Sequence, residues 1–294
     1  MEKKIFFITA DNLGLIREQI DYPYLEILKF PVIVEGKEYR QSDEFNAKWL
    51  ISKYENENVV AQTSTLVQKE MVEIVEKNKS DFDLMIHVLM SSGISAASFK
   101  VAENVRKQYE NVIPIINVDS RQVVNGVGNV LLAIIDIVKA NPALSREEIE
   151  RKTQEVVEST FSYFVVNDLK YLYKGGRIGK AQSLMGSILH IIPVLGVLGT
   201  EVEGIVVPIG KGRTFKQVNS MIYDKIIEKM NEKSVSKIKR IISISGYGDK
   251  NADVYTELFE KVKSIPHDDY IDGKPALVDT VYVGPGGYGV SVYL

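Results

Sequence analysis

The sequence predicts an α/β fold in two parts: an N-terminal parallel-sheet α/β domain over residues 1–160 and a C-terminal α+β domain over residues 161–294. Three observations carry that expectation. Lys4–Ala10 is a continuous β-favouring run without alternation, as in a strand buried on both faces of a parallel sheet. Strand–turn–helix units then succeed one another at short spacing, the pattern of a parallel sheet covered by helices. Beyond Phe161 strands and helices mix without strict alternation, which suits an α+β arrangement.

Asp11-Asn12-Leu13-Gly14 ends the first strand. Leu28–Val34 and Lys37–Arg40, split by Glu35-Gly36, read as a strand and a short hairpin, and Glu44–Tyr54 reads as a helix. Asn58–Gln62 is a short strand leading into Thr63-Ser64-Thr65. Thr65 and Gln68 have capping-box spacing for the next helix, which leaves the Thr63 and Ser64 hydroxyls free to reach elsewhere. Satisfying the local backbone is the commoner use of such hydroxyls. Asp83–Met90 forms the next strand, with Ser91-Ser92-Gly93-Ile94-Ser95 as its turn, and Ala97, Val101 and Val105 recur on one helix face after it. Val112–Val118 is a third strand, Asp119-Ser120-Arg121 its turn, and Gln122–Ala140 a long helix, apolar nearly all round and so largely buried.

Ligands of open parallel sheets sit beyond the carboxyl ends of the strands, where these three hydroxyl-rich turns are expected to share one rim. Helix N-termini placed there offer N–H groups to an oxyanion. Further on, Ser145 caps a helix Arg146–Ser159, and Thr160–Val166 is a strand. Thr200–Gly210 reads as a hairpin around Glu203-Gly204, and Lys211-Gly212-Arg213 opens a helix Thr214–Lys233. Lys239–Ser245 is a strand and Asn251–Ser264 a helix. Val278–Val283 and Tyr288–Tyr293 read as a closing strand pair around Gly284-Pro285-Gly286-Gly287.

Bulk composition narrows the function classes. The 294 residues are 45% hydrophobic and 26% charged, ordinary for a soluble globular protein. A formal net charge of −3 argues against a general nucleic-acid binder. With no cysteine there is no disulfide, cysteine nucleophile or thiolate metal site, and the three histidines (His87, His190, His267) stand at no metal-ligand spacing. No metal and no cofactor is therefore expected. The opening MEKKIFFITADN reads as a first strand rather than a signal peptide, which makes a cytoplasmic protein the expectation.

One stretch, Leu169–Gly199, joins two unlike pieces. Lys174, Gly175, Gly176, Arg177, Gly179 and Lys180 make a compact basic turn whose adjacent glycines allow positive φ or close approach. Leu184–Leu198 follows as an apolar run in which His190 alone is ionisable. Gly186, Pro193 and Gly196 interrupt it, and it is shorter than the ~20 residues that span a bilayer. It is expected to be buried in protein, to lie against an apolar ligand, or both. A Lys-Gly-Gly-Arg turn alone is often only a solvated loop.

The segment LKYLYKGGRIGKAQSLMGSILHIIPVL nevertheless closely resembles the signature of the DegV family of bacterial fatty-acid-binding proteins, which includes non-catalytic subunits of fatty acid kinase. The resemblance runs essentially end to end. It includes Ile27–Arg40, the Thr63-Ser64-Thr65 turn, the turn MSSGISAAS, NVDSRQVVNGVG, and the terminal Gly284-Pro285-Gly286. It implies two α/β domains with one long-chain fatty acid between them, the acyl tail in the first domain and the carboxylate held by hydroxyls. Carried over, Thr63 and Ser92 would be carboxylate ligands, with Ser64, Ser91 and Ser95 as supporting neighbours. Arg177 and Lys174 in the basic turn, with Lys211 or Arg213 later, would give positive potential at the head group or face a partner. That partner would be a separate ATP-dependent fatty acid kinase subunit, and transient membrane contact is compatible with lipid exchange. Tyr282 stands where the family commonly has a histidine, and Ser245–Asp249 reads SGYGD in place of a His-containing element. Fatty-acid binding is thus carried by more of these residues than the kinase partnership is.

The chain has no Gly-rich Lys-Ser/Thr phosphate loop and no acidic cluster at Mg²⁺ spacing, so a carrier is expected rather than an enzyme. Two other readings compete. One is a small-molecule, hydrolase-like enzyme with Asp11, Ser92 and Asp119 as an acid or nucleophile set, although no histidine falls in these turns to serve as base. The other is a regulatory module for a polar phosphorylated ligand, against which the apolar run speaks.

Overall fold

The computed structural model describes residues 3–57, 59–184, 191–248 and 252–294. The chain opens with β1 (Ile5–Ala10), every residue of which is buried. There follow β2 (Leu25–Leu28), β3 (Val32–Val34), β4 (Lys37–Tyr39), α1 (Ala47–Asn56), β5 (Ala61–Thr63), α2 (Gln68–Asn78), β6 (Leu84–Leu89), α3 (Ala96–Gln108), β7 (Ile115–Asp119), α4 (Asn125–Ala140) and α5 (Arg146–Glu158). The second half contains β8 (Thr160–Val165), the short α6 (Lys170–Lys174), β9 (Ile192–Val197), β10 (Val207–Gly212), α7 (Phe215–Glu232), β11 (Ile238–Ile244), α8 (Ala252–Lys263), β12 (His267–Gly273), α9 (Leu277–Val283) and β13 (Tyr288–Tyr293).

These strands make three sheets. The N-terminal region has a four-stranded parallel sheet in the order β2-β1-β6-β7. The C-terminal region has a six-stranded mixed sheet in the order β10-β9-β8-β13-β11-β12, in which β11 and β12 are parallel and the other pairs antiparallel. An α/β fold with a parallel first sheet and a mixed second one is what the pattern of strands and helices predicts. The third sheet, β4-β3-β5, is antiparallel and small.

Helix α4 is the mechanical link. Its residues from Asn125 to Ile135 are all buried, because the helix packs against β6 on one side and against β8, β11 and β13 on the other. Two polar side chains tie it to the mixed sheet: Asn125 Nδ2 donates to the Ile242 carbonyl at 2.6 Å, and Asn129 Nδ2 to Ser291 Oγ at 2.9 Å.

Several elements depart from expectation. The strand after residue 60 starts at Ala61, not Asn58, and belongs to the small antiparallel sheet, so Thr63 is not on the carboxyl rim of the parallel sheet. Thr65 does not cap α2, whose N-cap is Val67; its hydroxyl instead meets Ser98 Oγ at 3.1 Å. The buried face of α3 is Ser98, Ala102 and Val105, while Ala97 is exposed. Leu277–Val283 is a helix, not a strand, and Leu277, Val278 and Val281 join the core of Phe6, Ile8 and Met85 under the parallel sheet. Within the described part of the apolar run, Ile192–Val197 forms strand β9, paired between β8 and β10 and buried from Pro193 onward. Asn58, Gly186, His190, Asp249 and Asn251 lie outside the described residues. Among those described, no helix is long and apolar enough to cross a membrane.

Candidate functional site

A cavity of about 230 Å³ opens where the carboxyl rim of the parallel sheet meets the inner face of the mixed sheet. One water needs roughly 10–15 Å³ on this measure, so the space far exceeds a packing defect. The parallel-sheet side contributes Asn12 after β1, Met90 and Ile94 after β6, Ser95 to Ala97 at the start of α3, and Val123 to Asn125 at the start of α4. The mixed sheet contributes Ser162 to Val165 of β8, Ile244 of β11 and Tyr288 of β13. Phe30, Thr63 to Thr65, Leu172, Arg177, Val206, Tyr247 and one face of α9 (Val278, Asp279, Tyr282, Val283) close the rest. None of the described residues of the apolar run Leu184–Leu198 lines it, because β9 is spent on sheet core.

The predicted hydroxyls divide into two groups. Thr63, Ser64 and Ser95 line the cavity. The Thr63 hydroxyl is hydrogen-bonded to the Tyr282 hydroxyl, which draws the end of β5 against α9. Ser95 Oγ donates to Ser98 Oγ at 2.9 Å, and that buried serine also meets the Thr65 hydroxyl and the Leu66 N–H. Ser91 and Ser92 are outside the lining. Ser91 is fully buried and accepts from the Gly93 N–H at 3.1 Å. Ser92 donates its backbone N–H and its hydroxyl to Asp119, at 3.0 and 2.5 Å, and Asp119 also pairs with Arg121 Nε at 2.9 Å. Thr63 and Ser92 therefore do not converge: the turn after β6 rotates Ser92 toward β7 and leaves Ser95 facing the cavity.

The cations divide as well. Arg177 lines the cavity, with its guanidinium 5.5 Å from the Tyr282 ring centroid and Nη1 donating to the Gly175 carbonyl at 2.7 Å. Among the described residues no carboxylate pairs with it. Lys174, Lys211 and Arg213 are exposed and off the lining. The Gly175-Gly176 pair explains the basic turn. A Cβ on Gly175 would come within 2.4 Å of the Tyr282 ring, whereas Gly176 takes φ +67° in open space. One glycine admits the tyrosine and the other turns the chain so that Arg177 points inward.

Sequence reasoning missed Tyr247, Asp279, Asn12 and Asn125, which gather on the lining near the ends of β1 and β11. Burial pushes the Asp279 carboxyl well above the usual carboxylate range, the nearby Asp11 charge pushing the same way. Burial likewise raises Asp11 to about 7, opposed by the Phe30 N–H that it accepts at 3.1 Å. Asp11 touches neither Ser92 nor Asp119, so the acid–nucleophile set proposed for an enzyme is not assembled. Next to Asn125, Val124 sits at φ 46°, ψ −124°, a costly conformation for a β-branched residue and a kind of strain that clusters at functional sites. The only advance signal for these residues was position, since Asn12 follows a strand's carboxyl end.

Residues 8–294 match the family described as "Uncharacterised protein, DegV family". Protein DegV of Bacillus subtilis (strain 168) is 26% identical over 286 residues, spanning 97% of this chain and 98% of its own. A fatty-acid-binding DegV family protein from Thermus thermophilus has the same fold, with a TM-score of 0.88 at 22% identity over 99% of both chains. A stearic-acid-binding protein from Eubacterium ventriosum gives a TM-score of 0.83 at 19% identity, over 100% of this chain and 98% of that one.

Proposed function

Because the chain belongs to the DegV family, we propose that it binds a single long-chain fatty acid in the cavity between its two regions. The observation that carries this reading is a mostly apolar cavity with Thr63, Tyr282 and an inward, carboxylate-free Arg177 gathered on one part of its wall. A carboxylate there accepts from Arg177, from the Ser64 hydroxyl and from whichever of the mutually bonded Thr63 and Tyr282 hydroxyls keeps its proton free, the Ser95 proton being donated to Ser98. Charge-assisted hydrogen bonds are the strong ones, and a cation shared with solvent avoids the desolvation cost of a fully buried ion pair. Burial of a chain of about sixteen carbons contributes ~12 kcal/mol gross at ~0.8 kcal/mol per methylene. Ordering and association costs reduce that figure, so tail burial dominates affinity and the polar wall sets orientation.

The reading keeps the seam between domains at 160/161, with α9 crossing back to pack on the first. Ser92 is not used as a ligand, since its hydroxyl is already donated to Asp119. Presentation of the bound acid to a separate ATP-dependent kinase subunit is the finer part of the proposal, with the exposed Lys174, Lys211 and Arg213 on the partner's side. Native and denaturing mass spectrometry of the purified chain tests the core claim. A non-covalent mass of one long-chain fatty acid is expected, and delipidated protein should bind palmitate one to one. Thr63→Val should weaken that binding by roughly tenfold, the worth of one hydrogen bond to a charged group. An apo mass together with no palmitate binding sinks the reading.

A further inference from the structure

The wall of the cavity holds polar groups that a plain hydrocarbon tail leaves without partners. Asn12 is 2% exposed and its Nδ2 has no hydrogen-bond partner among the described residues; Tyr247 is 1% exposed and its hydroxyl has none either. Both line the cavity, as does Asp279, whose Oδ2 accepts only the Ala276 N–H at 3.3 Å. They come from three separate places in the fold: the end of β1, the end of β11 and helix α9. Buried polar groups in folded proteins are almost always paired, so the Asn12 amide and the Tyr247 hydroxyl on one cavity wall call for a partner in ordered water or in a polar atom that arrives with the ligand.

We propose that Asn12, Tyr247 and Asp279 form a second, polar subsite that receives a neutral oxygen carried by the ligand, so that the preferred acid bears a hydroxyl within a few carbons of its carboxyl group. This rests on the fatty-acid reading above and specifies its ligand class. The chemistry of the set selects a hydroxyl. Asn12 offers an amide N–H₂ and Tyr247 an O–H, and burial raises the Asp279 carboxyl, so a neutral oxygen suits this wall better than an anion. A hydroxyl accepts from one of these and donates back to the Asn12 carbonyl oxygen. A second carboxylate would instead add charge beside two carboxyls already buried. Position fixes where the hydroxyl lies on the chain. Asp279 and Tyr282 are three residues apart on one face of α9, side by side about 5–6 Å apart, and Tyr282 is bonded to Thr63 at the carboxylate anchor.

The test is calorimetric titration of delipidated protein with hexadecanoic acid and with 3-hydroxyhexadecanoic acid. The hydroxylated acid is expected to bind tighter by on the order of tenfold, as satisfying buried unpaired donors requires. In Tyr247→Phe, which keeps the ring, that ratio should fall toward one. Equal affinities, a weaker hydroxylated acid, or a ratio unmoved by Tyr247→Phe overturns the subsite while leaving fatty-acid binding intact. Failure of both acids to bind overturns the fatty-acid reading and the subsite with it.

Discussion

At the scale of single residues the site turns on which side chains reach the cavity with bonding capacity to spare. Arg177 does, since among the described residues its guanidinium donates only to the neighbouring Gly175 carbonyl and no carboxylate neutralises it. Arg177→Glu replaces attraction by repulsion at the proposed anchor and should weaken palmitate binding at least tenfold. Arg177→Lys should lose less, keeping the charge but not the planar fork. Both losses should shrink at high salt, which screens the exposed part of the interaction; calorimetry at two ionic strengths checks this, and an unchanged Kd for Arg177→Glu would place the cation beyond the head group. Ser92 illustrates what residue type alone leaves open. Three hydroxyls in one turn mark it as polar, but backbone dihedrals decide that Ser92 faces Asp119 while Ser95 faces the cavity.

At the scale of elements, packing overrides local preference in two places. Leu277–Val283 is rich in β-branched residues yet forms a helix, because Leu277, Val278 and Val281 share a face against α1, β3 and β5. Strand β12, HDDYIDG, lacks an apolar signal because it is an edge strand paired to β11 alone among the described strands and half-buried along most of its length. The basic turn gives a prediction at this scale. Gly175→Ala puts a methyl against the Tyr282 ring that Thr63 holds, and should cost about 1–3 kcal/mol in stability together with a loss of lipid affinity. Gly176→Ala meets no atom and should show only the cost of a left-handed alanine, about 1 kcal/mol, with little change in Kd. Thermal unfolding and lipid titration of the two variants separate space from conformation; equal effects on Kd would show that the turn acts only as a scaffold.

At the scale of the whole molecule, two buried titratable groups pull stability in opposite directions with pH. Burial pushes His87, central in β6, down to about 4 from 6.5, opposed only in part by Asn117 and Glu103. Between those values the unfolded chain binds a proton that the folded one refuses, so this contribution is present above 6.5 and is lost as pH falls toward 4. Asp11 is raised to about 7 from 3.8, so the folded state keeps a proton the unfolded chain releases, and stability is lost as pH rises through that window. Asp279 has the same sign. Each group acts with a slope of up to about 1.4 kcal/mol per pH unit, and between pH 4 and 6.5 the two oppose each other. Relative to the unaltered chain, Asp11→Asn should lose more stability on acidification across that range and His87→Leu less, measured by urea unfolding at pH 4.5 and 6.5. Parallel pH profiles for all three would show that burial does not control these groups. Taken alone, the sequence determined what periodicity and composition encode: buried strands such as Ile5–Ala10, the all-round apolar α4, the α/β class, and hydroxyl-rich turns beside a basic glycine turn. The tertiary structure decided which of those hydroxyls and cations meet, that Tyr282 closes on Thr63, and that Asn12, Tyr247 and Asp279 converge. Periodicity is a property of neighbours along the chain, whereas convergence depends on turn dihedrals and on contacts between residues more than two hundred positions apart, which no local pattern records.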